Sequence, residues 1–239
     1  MSENQRTTDY HSHILPGLDD GPTREEASLE MARLFAVAGY REVYCTPHLI
    51  KGMFEASTEE VLLVRDTLQQ ALEREGIAIK LLAAREYYLD EFLLDLTRQP
   101  LLLEGTTCIM IEIPSNSSID LVKETLFAVK RRGYTPLIAH PERCLLLEMP
   151  DLPSHSPGRF KRWFSGGSEQ NNNAVPVNDL LHYLKLLGCQ FQGNLGSFKG
   201  QYGARVKASA LNFQKNSLYT HRGTDAHSPE SLKTILGIA

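Results

Sequence analysis

The sequence predicts an α/β fold built on parallel strands, open or closed into a barrel. Three observations carry that expectation. Short apolar runs alternate with longer stretches of helical periodicity along most of the chain, the pattern produced by successive strand–helix units. Residues of metal-ligand type stand at nearly every expected strand end: His11 and His13, His48, Glu86, Glu112, His140, and Asp225 with His227. In a β/α barrel the C-terminal ends of all strands share one face, so residues distant in sequence converge there. Finally, 239 residues are ample for one domain of this kind with a large core.

The first strand carries Asp9-Tyr10-His11-Ser12-His13. Alternate side chains of a strand face the same way, so His11 and His13 can reach one ion. The Pro16-Gly17 turn brings Asp20 back toward that end as a hard oxygen ligand. Thr23 stands three residues before Glu26, a capping-box spacing, and predicts a helix with Leu29, Ala32, Leu34 and Ala36 on its apolar face and Gly39 as its stop. A short strand at 42–46 leads into Pro47-His48. Val61, Leu62, Val64, Leu68, Ala71 and Leu72 have helical spacing and predict a helix over 57–75. A strand at 77–84 then delivers Arg85-Glu86.

Further along, the pattern predicts a short helix at 89–96, a buried strand at 107–113 whose only charge is Glu112, and a helix at 119–132. The strand Thr135 to His140 follows. After Arg143 the composition changes: residues 148–176 hold Pro150, Pro153, Pro157, Pro176 and an Asn171-Asn172-Asn173 run, and read as a loop-rich insertion. Within it, Arg159-Phe160-Lys161-Arg162-Trp163-Phe164 is either a docking segment for a phosphorylated tail or a short helix with its aromatics packed inward. A helix at 177–187, a strand at 189–193, a glycine-rich turn to Gly203 and a helix at 205–214 complete the alternation. The last strand ends in Thr224-Asp225-Ala226-His227, with only a short tail beyond.

A single H-x-H pair is equally consistent with a polar edge facing water. The other strand ends decide for a metal centre. Glu112, closing Cys108-Ile109-Met110-Ile111, would be costly to bury without a compensating cation. Asp225 and His227 repeat the spacing of His11 and His13 at the far end of the chain. His11, His13, Asp20, His48, Glu86, Glu112, His140, Asp225 and His227 are too many ligands for one ion, so two or three ions bridged by carboxylates are expected. Such ions polarise a phosphoryl oxygen and lower the pKa of a bridging water, supplying hydroxide at neutral pH. Arg143 has the fork geometry to clamp a phosphate, or else pairs with Glu142 or Glu148. Arg143, His48 and Asp20 are the candidate catalytic residues. His155, His182 and His221 are read as structural or surface residues.

The exclusions are equally informative. A net charge of −4 gives no electrostatic case for nucleic acid or an anionic membrane. No apolar run approaches a membrane span, and Met1-Ser2-Glu3-Asn4-Gln5-Arg6 is not a secretory signal. Cys45, Cys108, Cys144 and Cys189 lack C-x-x-C spacing and read as reduced buried thiols of a cytoplasmic protein. None begins a C-x5-R phosphate loop; Cys45, the nearest, has Lys51 at that position. No Walker-type phosphate loop or dinucleotide fingerprint occurs.

The stretches D-Y-H-S-H-I-L-P-G-L-D-D-G-P, T-P-H-x-x-K-G-M-F-E, R-E-Y-Y, M-I-E-I-P, I-A-H-P-E-R, the loosely matching G-x-L-G-S-F-K-G-Q-Y-G, and T-D-A-H resemble the polymerase-and-histidinol-phosphatase (PHP) superfamily. Within it they are most similar to the bacterial manganese-dependent protein-tyrosine phosphatases of capsule and exopolysaccharide loci. The resemblance implies a distorted seven-stranded β/α barrel holding manganese, with iron or zinc as alternatives. It implies one ion on His11, His13, Glu86 and Asp225, a second on Glu86, Glu112 and His140, and a third on Asp20, His48 and His227, with Arg143 on the phosphate. It also implies a phosphotyrosine substrate on the tail of a bacterial tyrosine kinase, and leaves a homo-oligomer open. The sequence departs from the family at Leu49 and Ile50, where basic residues can occur. A second phosphate-binding arginine is missing after Asp225-Ala226-His227, since 228–239 holds only Lys233. A phosphoesterase acting on a small metabolite such as histidinol phosphate, and a metal-stabilised binding scaffold without turnover, are the competing expectations.

Overall fold

The computed structural model describes residues 7–148 and 178–238. Residues 148–176, read as an insertion, therefore lie outside the described residues except for Glu148, and the 159–164 segment lies wholly outside them. The strands are β1 (Thr8–Ser12), β2 (Glu42–Cys45), β3 (His48–Leu49), β4 (Lys80–Ala83), β5 (Glu86–Tyr88), β6 (Cys108–Glu112), β7 (Thr135–Ala139), β8 (Gln190–Asn194) and β9 (His221–Gly223). Every pairing between them is parallel. The helices are α1 (Glu25–Val37), α2 (Thr58–Arg74), α3 (Leu93–Leu96), α4 (Ile119–Arg131), α5 (Asp179–Leu187), α6 (Leu195–Lys199), α7 (Gly203–Lys215) and α8 (Pro229–Leu236).

The expected seven strands do not form one sheet. Among the described residues, β1-β2-β4 form a three-stranded sheet and β3-β5-β6-β7-β8-β9 a six-stranded one. The division falls at Pro47 and at Ala84-Arg85. Ala84 N donates to the Cys45 carbonyl and Glu86 N to the Pro47 carbonyl, but Pro47 has no N–H to return to the ladder. At the other margin, Asp225 N donates to the His11 carbonyl at 2.7 Å and His13 N to the Ala226 carbonyl at 3.1 Å, tying β1 to the residues after β9.

Strand alternation sorts the core. Ile109, Ile111, Ile138 and Phe191 face outward onto Val122, Leu126 and Val129 of α4 and Leu181 and Leu184 of α5. The intervening Met110, Leu137 and Ala139 face inward and meet Tyr44, Leu82 and Ala84 from the three-stranded side. A third cluster packs α1, α2 and α8 on the outer face of β2 and β4 through Phe35, Leu68, Leu232, Val43 and Leu81. Each such fully buried aliphatic side chain contributes roughly 1.5–3 kcal/mol.

Three local expectations are corrected. Thr23 does not cap α1: Pro22 accepts from Gly17 N, the helix begins at Glu25, and Arg24 at its N-cap makes no side-chain cap. The capping box belongs to α2, where Ser57 Oγ accepts from Glu60 N and Glu60 Oε2 from Ser57 N. The glycine-rich stretch is not a plain turn, because Asn194 Oδ1 caps α6 by accepting from Gly196 N. The tail is α8, started by Ser228 as N-cap with Pro229 behind it, and anchored by buried Leu232 and Ile235.

Candidate metal centre

Parallel strands deliver their chemistry to one end of the sheets. His11 is in β1, Glu112 ends β6, His140 follows β7, and Asp225 and His227 follow β9. His48 and Glu86 differ from the expectation: each opens a strand, β3 and β5, at the division between the sheets, and the two are register neighbours. His140 (φ 30°) and Asp225 (φ 53°) both adopt left-handed backbone. Non-glycine residues rarely hold that conformation unless surrounding contacts enforce it, and such positions concentrate at functional sites. Gln192 Oε1 accepts from His140 N, and the His11 carbonyl accepts from Asp225 N.

Three imidazoles have their Nδ1 edges committed. His11 Nδ1 donates to Gln192 Oε1 at 3.0 Å, His13 Nδ1 to Asp19 Oδ2 at 2.7 Å, and His227 Nδ1 to the Asp225 carbonyl at 2.9 Å. Their Nε2 atoms are thereby turned inward as lone-pair donors, the arrangement that outer-sphere acceptors impose on metal-binding histidines. His11 Nε2 and His13 Nε2 face each other at 3.1 Å. Glu86 Oε2 lies 3.1 and 3.3 Å from them, and Asp225 Oδ1 3.3 Å from both. His48 Nδ1 is buried and makes no hydrogen bond, although Glu86 Oε2 is 3.2 Å away. An orphaned nitrogen and converging lone pairs among carboxylates fit divalent ions.

The donors fall into three overlapping groups, each with ligand atoms within 4.8 Å of one another: His11, His13, Glu86 and Asp225; His48, Glu86 and Glu112; and His13, Asp20, His48 and His227. The first is the set implied by the resemblance. The third adds His13 to the implied set. In the second, His48 stands with Glu86 and Glu112, while His140 falls outside the groups and places Nε2 2.9 Å from Glu86 Oε1. Asp20, more than half exposed, reaches His227 Nε2 at 3.3 Å. Arg143 Nη1 donates to Asp225 Oδ2 at 2.5 Å, and not to Glu142 or Glu148. Glu142 is instead buried, accepting from Asn194 N and the Tyr219 hydroxyl. A cavity of about 270 Å³ opens over the cluster, lined by Asp20, His48, Glu86, Glu112, His140, Arg143, Tyr202, Asp225 and His227. The other histidines divide: His182 is exposed on α5, His221 is half-buried against the Tyr10 ring, and His155 lies outside the described residues.

The electrostatics reflect burial set against clustering. Burial disfavours the charged form of His11, but the carboxylates of Glu86 and Asp225 outweigh it and lift its pKa to about 9. Burial and the neighbouring Glu86 push Glu112 up to about 7. Burial would raise Glu86, yet His11 and His48 hold it well below the usual carboxylate range. Burial and the Arg143 charge press His140 down to about 4. Chelator-stripped protein at pH 7 therefore keeps a proton on His11 that a metal must displace. Apparent metal affinity is expected to tighten with pH up to about 9, by about tenfold per pH unit for each proton released. The stability of the stripped protein should move oppositely. A histidine raised on folding contributes stability that is fully present below pH 6.5 and lost as pH rises through about 9. Competition titrations and melting curves at pH 6, 7, 8 and 9 check both; an affinity independent of pH contradicts the assignment.

Four residues of the site carry no ligand-type signal at a strand end. Asp19, rather than its neighbour Asp20, orients His13 and also accepts from His48 N. Its burial opposes ionisation, but the hydrogen bond and charge of His13 keep it below the ordinary carboxylate value. Gln192 holds both His11 and His140, and Asn194 Nδ2 donates to Asp225 Oδ2 at 2.8 Å. The signal for those two was present: Gln190, Gln192 and Asn194 alternate along an otherwise buried strand. Asp9, 1% exposed, accepts from His11 N and Thr224 N and fastens β1 to the loop that carries Asp225. Replacing Asp19 with asparagine keeps the shape but removes the charge behind His13. Metal affinity is expected to fall about 10- to 100-fold, measured by competition with a chromogenic chelator; unchanged affinity would remove Asp19 from this role.

Comparisons with known proteins place the chain among relatives. Residues 7–150 match the family described as capsular polysaccharide synthesis, CpsB/CapC. The chain is 30% identical over 222 residues to the tyrosine-protein phosphatase YwqE of Bacillus subtilis (strain 168), covering 92% of this chain and 77% of that protein. It is 33% identical over 146 residues to the tyrosine-protein phosphatase CpsB of Streptococcus pneumoniae, covering 59% and 58%. A solved structure from work on YwqE and CpsB, described as metal-dependent tyrosine phosphatases, superposes with a TM-score of 0.74 at 27% identity, covering 96% of this chain and 85% of that one.

Proposed function

Because this chain belongs to the CpsB/CapC family of capsular polysaccharide synthesis proteins, we propose that it is a metal-dependent protein-tyrosine phosphatase. The observation that carries the reading is the pair of inward-turned Nε2 atoms of His11 and His13, fixed at Nδ1 by Gln192 and Asp19, on the shared carboxylate of Glu86, with His227, fixed at Nδ1 by the Asp225 carbonyl, turned to Asp20. We assign His11, His13, Glu86 and Asp225 to one ion, Glu86, Glu112 and His140 to a second, and Asp20, His48 and His227 to a third. Manganese is the ion we assign, with iron or zinc as the alternatives that the same mixed donors accept. Bound ions supply Lewis acidity to the phosphoryl oxygens and an acidified water.

The protein's own residues do the rest. Arg143, held by Asp225, presents its remaining N–H groups to the cavity as a fork for the non-bridging oxygens of the phosphate. Asp20 and His48, on the cavity wall, face the reacting group, where as ligands they would hold an ion against the phosphate. The substrate we assign is a phosphotyrosine on the tail of a bacterial tyrosine kinase that controls polysaccharide export, which fits the family's capsular role. Among the described residues no helix is long and apolar enough to cross a membrane; we place the protein in the cytoplasm on the sequence reading. We further infer that 1–239 is a single PHP-type domain. In that reading β2 with β3 and β4 with β5 act as two bent strands, giving seven that close through the Ser12–Ala226 bridge.

A substrate panel tests the assignment. Metal-loaded protein should hydrolyse a phosphotyrosine peptide with kcat/KM at least about a hundredfold above that for histidinol phosphate, a difference of about 2.7 kcal/mol in barrier. The reverse ranking would transfer the site to a small-metabolite phosphoesterase. Tight peptide binding with no turnover under any divalent ion would make it a scaffold.

A further inference from the structure

We propose that Tyr202 is the residue that selects aryl over alkyl phosphates, a specificity role that rests on the phosphatase reading of the site. The cavity wall is otherwise made of carboxylates, imidazoles and the Arg143 guanidinium, and among the described lining residues Tyr202 brings the only phenyl-type ring. Tyr202 stands at the N-cap of α7, in the G-x-L-G-S-F-K-G-Q-Y-G stretch that no ligand role explains.

Its placement is fixed from two sides. The Arg143 guanidinium carbon lies 4.7 Å from the ring centroid, a cation–π stack. The hydroxyl accepts from Asn194 Nδ2 at 3.3 Å, and the same amide donates to Asp225 Oδ2. Arg143 is thus held between the Tyr202 ring and the Asp225 carboxylate, so a phosphate on its free N–H groups sits beside that ring. The group esterified to such a phosphate runs along the part of Tyr202 that remains open, 38% of the residue's surface. An aromatic leaving group there finds an edge-to-face or offset partner, whereas a short alkyl group leaves the ring uncovered. The hydroxyl bond to Asn194 orients the ring but is not itself the recognition element, which separates the roles of ring and hydroxyl.

Calorimetric binding of phenylphosphonate and methylphosphonate to metal-loaded protein tests this without requiring turnover. Wild type is expected to prefer the phenyl ligand by about tenfold, the scale of one aromatic contact. Tyr202→Phe should keep that ratio within about twofold, and Tyr202→Leu and Tyr202→Ala should bring it close to unity. Because the ratio is taken within each protein, a general loss of metal or of Arg143 alignment cancels. An unchanged ratio in the leucine and alanine variants, no preference in wild type, or loss of both ligands together in both variants would overturn the assignment. A ring-dependent ratio alongside no hydrolysis of phosphotyrosine would uphold Tyr202 and count against the phosphatase reading alone.

Discussion

Glu86→Gln is expected to lower kcat/KM for a phosphotyrosine peptide by at least about 10³-fold, or about 4 kcal/mol of barrier, with loss of at least one bound ion per chain. Glu86 is fully buried. Its Oε2 lies 3.1, 3.3 and 3.2 Å from nitrogens of His11, His13 and His48, and its Oε1 2.9 Å from His140. It is the carboxylate common to two of the three donor groups. Glutamine keeps the volume and one acceptor but removes the charge that offsets both the ions and the surrounding imidazoles. Removing one partner of a buried charged cluster costs about 3–5 kcal/mol, so the variant is also expected to be less stable. Glu86→Asp, which keeps the charge and shortens its reach, separates the two effects. It should retain the fold and part of the metal while losing rate. Activity within tenfold of wild type and a full metal complement in Glu86→Gln would contradict this role.

Gly223→Ala is expected to be strongly damaging, destabilising by about 3 kcal/mol or more. A Cβ at 223 would stand 2.5 Å from His11 Cβ and 2.7 Å from His11 N, closer than packed atoms approach. Neither neighbour can yield. His11 lies within β1, and its backbone is fixed by the Asp9 carboxylate on its N–H and by Asp225 N on its carbonyl. The added methyl would drive β9 away from β1, and with it Asp225 and His227 from His11 and His13. Chemical denaturation and metal stoichiometry should fall together. A variant with wild-type stability and metal content would show that this close approach is not required.

The alternation of strand and helix and the ligand residues at strand ends were legible because both are local signals: periodicity for the elements, residue type for the donors. Glu112 illustrates the second, a lone charge closing an apolar run. What escaped depends on contacts distant in sequence. Asp19 and Asp20 are indistinguishable by type, and only the return of the 13–21 loop makes the first the partner of His13 and leaves the second exposed. The break at Pro47, which sets His48 and Glu86 at strand starts, depends on a ladder bond that proline cannot give. The helix α8 carries few apolar residues, and these acquire meaning only against Phe35 and Met31 of α1. Thr23 shows the converse: its spacing to Glu26 matches a capping box, but the helix begins at Glu25 with Arg24 at the N-cap, so the threonine stands one residue too early.

The central claim is that the His–carboxylate cluster is a catalytic metal centre. It is tested most directly by hydrolysis of a phosphotyrosine peptide with chelator-stripped protein, to which Mn²⁺, Fe²⁺, Zn²⁺ or nothing is returned, with bound metal counted in each sample. The account predicts no turnover without metal, restoration by at least one of these ions at two or more per chain, and loss of that restored activity in His140→Ala. Full turnover in the stripped protein, or none under any ion despite stoichiometric binding, would contradict it.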